Sequence, residues 1–543
     1  MPLLAFYPQP GSPAGRAGLF ARALIATCLL AVSAFSGCSG IGNWWRNGFR
    51  VGPDYGRPPA PIADAWIDAD DAAVKTDRAD YSHWWSVFDD PTLDQLVQAA
   101  CAQNLSLKIA GLRIMEARAQ RGIAVGNLFP QAQEVDATYT RAKYSNNMYP
   151  FGMFPGNRAF DDWAFEFNAA WEADIWGKIR RGIESADANL DAQVENYDDV
   201  LVILQGDVAA SYIQMRTVEE QISLTRENIR LQRSSLGIAQ RRFDAGLVGE
   251  LDVHQAGAQL AVTESALPQL EEAHRRVQNA LCLLVGMPPG SLQADLSEPR
   301  PIPAAPAEVV IGIPADLLRR RPDVRRAERQ AAAQSARIGI AEAELYPQFA
   351  LTGTIELESQ QLGDLVSTDS VGGRVGPGMK WNVLNFGRIR NNVAAEDAKF
   401  QQAAVAYQNT VLAANKETED AIVSFLREQQ RVKALKRAVD EVDKALKIST
   451  RLYEEGLVDF QRVLDSQRNA VSQQDSLAQS RGKVATNLVA VYKSIGGGWM
   501  MRLPSAAPEG EALAPSSEPL TPTPAEPVPA TEPVESHVSS APR

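Results

Sequence analysis

Histidine and cysteine are the side chains best suited to hold a metal ion or to attack a substrate, and this sequence contains four of each. The histidines are too scattered for a zinc motif such as HExxH, and the cysteines form no CxxC pair. The sequence also lacks the GxSxG motif, the P-loop and the dinucleotide-binding glycine pattern. We therefore predict no catalytic, cofactor-binding or metal-binding residues and no enzymatic activity.

Cys38 is the cysteine whose surroundings indicate a chemical modification. Two arginines precede an apolar run over residues 23–35, which ends in small residues and is typical of a secretory signal. This ending resembles a bacterial lipobox, in which Cys38 is lipid-modified and begins the mature chain; an ordinary signal with an incidental cysteine is the alternative. Ser39 in the next position favours the outer membrane over the inner one.

Charge and hydropathy narrow the possible partners. The chain has 543 residues with 54 Lys and Arg against 66 Asp and Glu, a formal charge of -12, which argues against nucleic-acid binding. No apolar run of 18 residues follows the signal, so we predict no membrane-spanning helix, and any crossing would require a closed β-barrel. Cys101 and Cys282 lie in helical patterns and are expected to act as small apolar residues.

The chain contains two copies of one plan, which is the most informative pattern in the sequence. Trp171 and Gly246 recur as Trp381 and Gly456, in each case 210 residues later. Each copy is predicted to contain a helix, two strands joined by a loop, a long helix, a turn and a returning helix. The arginines of LLRRRPDVRRAE, where the second copy begins, are expected to form a solvated face.

Alternating apolar and polar residues predict two strands in each copy. The strands are predicted at residues 131–143 and 163–175 in the first copy, and at 348–358 and 374–385 in the second. Their length, aromatic ends and single apolar face are typical of a membrane barrel with a polar lumen, and a soluble sandwich is the alternative. Because four strands cannot close a barrel, several copies of the chain would have to share it.

A heptad pattern continues for roughly 65 residues in each copy and predicts helices on the order of 100 Å long. The turns between the paired helices are predicted near Gly246 and Gly456, where glycine suits the left-handed end of a helix. Residues 503–543, with ten Pro and six Glu, are predicted to be a disordered tail. The predicted divisions are a signal peptide (1–37), an N-terminal lipidated extended segment (38–83), the first repeat (84–285), a linker (286–316), the second repeat (317–502) and the tail (503–543).

Several motifs occur in the order found in one family. They are VGPDY at 51–55, WWSVFDDPTLDQLVQAA at 84–100, RPDVRRAE, LYPQ, the WGKIRRG and FGRIR junctions, and GGGW at 496–499. Together with the duplication they resemble the outer-membrane factor family, specifically the NodT/OprM-like lipoproteins of tripartite efflux pumps, relatives of TolC. The resemblance implies an α+β fold, in which a homotrimer builds a twelve-stranded outer-membrane barrel continued by a periplasmic coiled-coil tunnel.

The resemblance also implies functional residues near the hairpin tips. Asp465 matches an acid that rings the periplasmic entrance in the family, although Arg462 stands where a second acid is often found. Tyr453 matches a tyrosine that helps to hold the inner hairpin closed, whereas the equivalent Phe243 has no hydroxyl. The alternative for Asp465 is an isolated exposed carboxylate. The alternative for Tyr453 is a residue that simply ends a heptad seam. Docking of a periplasmic adaptor, or a simple helix turn, is expected at Gly246, Leu247, Val248, Gly456, Leu457 and Val458.

The function implied is passive conduction of drugs or other small molecules across the outer membrane of a Gram-negative bacterium. The partners implied are an adaptor, an inner-membrane resistance-nodulation-division (RND) pump and outer-membrane lipid. A TolC-like duct for ABC-driven protein secretion is one alternative. A lipid-anchored periplasmic coiled-coil scaffold, with the strands forming a soluble cap, is the other.

Overall fold

The computed structural model describes residues 44–77, 79–143, 159–294, 296–316 and 320–502. The predicted signal peptide, Cys38 and the predicted tail at 503–543 lie outside these ranges. The chain divides into two units, residues 1–500 and 501–543. Every element and contact described below belongs to the first unit.

Seven helices of 13 residues or more lie within the described ranges. Two helices precede the first two strands of the large sheet and one helix precedes the last two, and a hairpin of long helices follows each pair of strands. The helices are α1 (Pro91–Gln103), α2 (Leu105–Gly126), α3 (Lys178–Asp244), α4 (Glu250–Val285), α5 (Pro322–Ala343), α6 (Arg388–Glu454) and α7 (Phe460–Ser494).

The two long helices show how closely the two copies correspond. Helices α3 and α6 each contain 67 residues, and both the first and the last residue of α6 lie 210 positions after their counterparts in α3. At 1.5 Å per residue, each helix extends on the order of 100 Å. The first hairpin is formed by α3 and α4 and the second by α6 and α7, so the predicted duplication is present in the tertiary structure.

Four strands form one antiparallel sheet, and two short strands form a separate parallel pair. The strands are β1 (Val74–Lys75), β2 (Ala132–Lys143), β3 (Ala159–Ala173), β4 (Val309–Val310), β5 (Gln348–Ser359) and β6 (Val371–Lys380). The order in the large sheet is β2-β3-β5-β6, and β1 pairs with β4. The parallel pair joins the N-terminal segment to the segment between the two copies, because Val74 lies beside Val309.

The register of the large sheet separates an apolar face from a polar one. One row across the strands contains Val135, Phe167, Ile355 and Gly373, and the next row contains Asp136, Glu166, Glu356 and Gly372. Because successive residues of a strand point to opposite faces, the apolar row and the acidic row lie on opposite faces of the sheet. Large apolar side chains remain exposed on the first face, among them Val135, Ile355 and Val375.

The last strand lies earlier in the chain than the sequence predicted. It was expected at 374–385, but β6 ends at Lys380, and residues 381–385 form no strand. Turn hydrogen bonds replace the ladder there, from Val383 N to Trp381 O at 3.1 Å and from Arg388 N to Asn385 O at 2.9 Å. Pro377 lies within β6 opposite Leu351, on the edge strand of this four-stranded sheet.

The arginines at the start of the second copy do not form the solvated face that the sequence predicted. Arg325 bonds the buried carboxylate of Asp198 at 3.2 Å, and Arg326 bonds Asp199 at 2.8 Å. Arg321, only 8% exposed, donates to Ser494 O at 2.6 Å. These bonds link α5 and its N-terminus to α3 and α7, so the cluster holds the two copies together.

Within the described ranges, no helix combines the length and apolar character required to cross a membrane.

Candidate functional site at the hairpin tips

The two hairpin tips have the same backbone conformation. Gly246 has φ +70° and Gly456 has φ +79°, the left-handed region that a residue with a Cβ adopts at a cost. In each turn the next amide closes the helix end, from Leu247 N to Arg242 O at 2.9 Å and from Leu457 N to Leu452 O at 2.8 Å. These bonds satisfy carbonyls that the last turn would otherwise leave open.

An apolar side chain projects from each tip. Leu247 is 67% exposed and Leu457 is 68% exposed, while Val248 and Val458 are half-buried beside them. A groove of about 580 Å³ lies next to the first tip between α3 and α4, and Gly237, Val253 and His254 are among its lining residues. The tips therefore offer exposed apolar contacts beside a groove.

Tyr453 connects the two hairpins near the second tip. It is 2% exposed, its ring packs edge-on against Phe460 at 5.2 Å, and its hydroxyl donates to Asp252 Oδ2 at 3.0 Å. Burial, and then the hydrogen bond to Asp252, raise the pKa of Tyr453 to about 12. The hydroxyl is therefore protonated, and donates to the carboxylate, throughout the physiological range.

Arg242 completes this contact from the first hairpin. Its guanidinium lies 4.8 Å from the centre of the Tyr453 ring and donates to the main-chain carbonyl of Tyr453. Arg242 is contributed by α3 and Asp252 by α4, so two side chains of the first hairpin hold one of the second. We call Arg242, Asp252 and Tyr453 the tip latch.

The tip latch exists once in the described structure because the two copies differ at all three positions. The residues 210 positions away from Arg242, Asp252 and Tyr453 are Leu452, Arg462 and Phe243. None of these can reproduce the hydroxyl-to-carboxylate bond, and Phe243 is 38% exposed where Tyr453 is buried. Sequence analysis singled out Tyr453 but missed Asp252 and Arg242. A comparison of the copies for changes in charge would have marked them.

Asp465 does not take part in the tip latch. It lies exposed on α7 and accepts a hydrogen bond from the side chain of Gln461, one turn earlier, at 3.0 Å. Arg462 is also exposed on α7, where its amide is capped by Asp459 at 3.4 Å. Of the two predicted gate residues, Tyr453 is thus buried in the tip latch, whereas Asp465 is exposed outside it.

A line of polar contacts joins α3 to α7 above the tips. Gln467 donates to Ser235 at 2.8 Å, Asn228 donates to Gln474 at 3.0 Å, and Gln221 donates to Asp475 at 2.5 Å. The three residues on α3 are spaced by seven, the heptad interval at which one face of a helix meets its neighbour. We call this interface, together with Gln232 between its members, the polar seam.

Gln232 weakens the polar seam. Its side chain is 2% exposed, and neither its amide nitrogen nor its amide oxygen has a hydrogen-bond partner among the described residues. A buried polar group without a partner costs roughly 1–3 kcal/mol. The contact between the first hairpin and α7 is therefore less stable than an apolar seam of the same area.

The described residues contain no group of three or more His, Cys, Asp or Glu side chains arranged to hold a metal ion. His274 Nε2 lies 2.9 Å from Glu219 Oε1 in a hydrogen-bonded pair that is not such a group. Cys282 is buried and Cys101 half-buried, both as free thiols.

Comparison with known proteins agrees with this architecture. The sequence profile of the family described as Outer membrane efflux protein matches residues 96–287 and 313–497. Nodulation protein T of Rhizobium leguminosarum bv. viciae is 30% identical over 462 residues, covering 83% of this chain and 90% of the relative. The antibiotic efflux pump outer membrane protein ArpC of Pseudomonas putida is 28% identical over 477 residues, covering 87% and 95%.

A solved structure shows the same fold. The outer-membrane channel OprN superimposes with a TM-score of 0.77 at 32% identity, covering 83% of this chain and 99% of that one. The predicted fold class, with its strands and long helices in two copies, is confirmed by this similarity. This chain belongs to the Outer membrane efflux protein family.

Proposed function

We propose that this chain is the outer-membrane channel of a tripartite efflux pump and that it works as a homotrimer. The observation that carries the proposal is the arrangement along the long helices, with a two-faced sheet at one end and the tip latch at the other. Four residues separate the end of β3 from the start of α3, which continues to the first tip. One chain would supply four of twelve strands, with the edges of β2 and β6 paired to neighbouring copies.

The channel would conduct passively and would have no catalytic role. Free energy would come from an inner-membrane RND pump, and a periplasmic adaptor would connect that pump to the hairpin tips. Small molecules are the expected cargo, because the similar ArpC protein belongs to an antibiotic efflux pump. Lipid modification at Cys38 would tether the N-terminus to the outer membrane, where the apolar face of the sheet meets lipid.

The tip latch is proposed to keep the periplasmic entrance closed. Opening would move the second hairpin, including α7, away from the first hairpin. This movement would break the hydrogen bonds of Tyr453 and separate the two sides of the polar seam. Both interfaces are formed by hydrogen-bonded side chains. Water can replace these hydrogen bonds once the hairpins separate, so the closed and open states would differ by only a few kcal/mol. Asp465, repeated three times, would form an acidic ring that favours cations.

The adaptor is expected to bind the exposed leucines and the groove at the tips. A photo-reactive amino acid placed at Leu457 or Leu247 of the full chain in cells tests this directly, with mass spectrometry of the trapped proteins. Leu283 is the matched control, because it is 75% exposed but lies at the opposite end of α4. Capture of an adaptor together with an RND pump at the tips, but not at Leu283, is the expected result.

Two other outcomes would each overturn the proposal. Capture of an ABC exporter would indicate a duct for protein secretion. Capture of cell-envelope structural proteins alone would indicate a lipid-anchored scaffold.

A further inference from the structure

Residues 44–50 form a compact turn rich in aromatic side chains, which we call the aromatic knob. Phe49 N bonds Trp44 O at 2.8 Å and closes the turn. The Phe49 ring lies 4.8 Å from that of Trp44 and 5.0 Å from that of Trp45. The knob therefore holds three aromatic rings together within one short segment.

The backbone of the aromatic knob is strained and is held in place by another element. Gly48 has φ +63°, and Phe49, which is not a glycine, has φ +64°. Arg180 of α3 donates to Gly48 O at 2.7 Å and to Phe49 O at 2.8 Å. Unfavourable backbone conformations of this kind persist only where surrounding contacts impose them. The shape of the knob is therefore imposed by the helix beneath it.

The aromatic knob is fixed to the end of the sheet from which the long helices begin. The indole of Trp44 donates to Ile175 O at 3.2 Å, and Val51 N bonds Trp176 O at 3.0 Å. Both acceptors follow directly after β3, which ends at Ala173. The knob thus lies at the junction between β3 and α3, at the helix end of the sheet.

Other exposed aromatic side chains lie at the same end of the sheet. The indoles of Trp171 and Trp381 donate to equivalent carbonyls of the two copies, Leu128 O and Leu345 O, each at 3.0 Å. Trp171 is 39% exposed and Trp381 is 51% exposed. Aromatic side chains in such a band are typical of the boundary between lipid and water around membrane strands. Trp45, at 68% exposure, and Phe49, at 41%, extend this band outward.

We propose that the aromatic knob binds the phospholipid headgroup region of the membrane, with Trp45 and Phe49 at the boundary with the acyl chains. This inference rests on the proposed function, because it takes the apolar face of the sheet to be in lipid. Arg46, exposed between Trp45 and Phe49 in the sequence, suits the phosphate groups of that surface. The knob would thereby determine how deeply the helix end of the sheet enters the membrane.

The position of Cys38 supports the same occupant. Six residue steps separate Cys38 from Trp44, and a chain spans at most about 3.6 Å per residue. A lipid attached to Cys38 could therefore enter only a membrane surface within about 22 Å of the knob. The tether and the knob would then contact the same leaflet.

Photo-cross-linking to lipid tests the inference in the full chain reconstituted into vesicles of phosphatidylethanolamine and phosphatidylglycerol. A diazirine amino acid is placed separately at Trp45, at Phe49, at Val375 and at Ile67. Val375, 77% exposed on the apolar face of the sheet, reports on the membrane position of the sheet itself. Ile67, 84% exposed on the same N-terminal segment, is the matched control away from the knob.

Lipid adducts at positions 45, 49 and 375, at least fivefold above those at 67, are the expected result. Adducts at 375 without adducts at 45 and 49 would overturn the role of the knob and leave the channel intact. Absence of adducts at 375 would instead count against the proposed function. Cross-links from 45 to a second copy of the chain would show that the knob is a contact between subunits.

Discussion

The hydroxyl of Tyr453 donates to Asp252 Oδ2 at 3.0 Å and joins two side chains that are 201 residues apart in the sequence. The bond crosses from the second hairpin to the first, and Arg242 holds the same tyrosine by its ring and its carbonyl. Because the latch spans the two hairpins, the proposed gate depends on its strength. The predictions on gating follow from this geometry.

Tyr453→Phe should increase the conductance of the resting channel. The substitution keeps the ring and removes the bond to a charged acceptor, which contributes roughly 1.5–3 kcal/mol, so the open population should rise about tenfold or more. Single-channel recording in planar bilayers measures the change. Tyr407→Phe is the matched control, because the Tyr407 hydroxyl is buried on the same helix without a hydrogen-bond partner in the described structure. Equal conductance changes in both variants would argue against the latch.

Alkaline pH should open the gate by a path that depends on Tyr453. Its pKa is raised from 10.0 to about 12, so the latch is at full strength below pH 10 and is lost as the pH rises through about 12. Resting conductance should stay constant from pH 7 to 10 and then increase. The quantity to compare is the difference in resting conductance between the wild type and Tyr453→Phe at each pH, since other groups titrate in both. A variant that shows the same alkaline rise would exclude Tyr453 as its origin.

Gly456→Ala should disturb the gate more than Gly246→Ala. Both substitutions place a Cβ on a left-handed residue, at a cost of roughly 1–2 kcal/mol. At Gly456 the added Cβ would also lie 3.2 Å from Arg242 Nη2, whereas at Gly246 nothing lies within 4 Å. We expect a larger resting conductance for Gly456→Ala and similar losses of thermal stability for both. The reverse order of conductance would contradict this role of Arg242.

Asp465→Asn should lower the preference of the channel for cations without opening it. The carboxylate is exposed on α7 and takes no part in the latch. Removing it would eliminate three charges from a ring in the trimer. The reversal potential in a salt gradient measures the change, with Glu227→Gln on α3 as a control for loss of an exposed carboxylate elsewhere. An unchanged reversal potential would mean that Asp465 is not at the conducting path.

Gln232→Leu should stabilise the closed channel. The substitution replaces a buried amide that has no hydrogen-bond partner among the described residues, and it removes a cost of roughly 1–3 kcal/mol. Thermal unfolding should shift upward and resting conductance downward. In the Tyr453→Phe background, the same substitution should restore part of the closure. No effect on conductance in either background would show that the polar seam does not move on opening.

The elements and their repetition could be predicted from residue spacing alone. Heptad spacing and the 210-residue offset predicted two very long helices, and the structure contains two helices of 67 residues at that offset. Alternation placed four strands, because burial of one face of a strand leaves a period of two. The glycines at the tips were predicted from the left-handed conformation that ends a helix. Each of these features depends on residues close together in the chain.

Which side chains of different elements meet depends on the tertiary packing. Nothing near Asp252 in the sequence indicates Tyr453, and the arginines at the start of α5, expected in solvent, bond buried carboxylates such as Asp198 instead. Strand β6 ends at Lys380 rather than at 385, because its ladder partner β5 begins at Gln348, which pairs with Lys380. Periodicity indicates which face of an element is buried. Which element packs against that face depends on how all the helices pack together, and that information is not local.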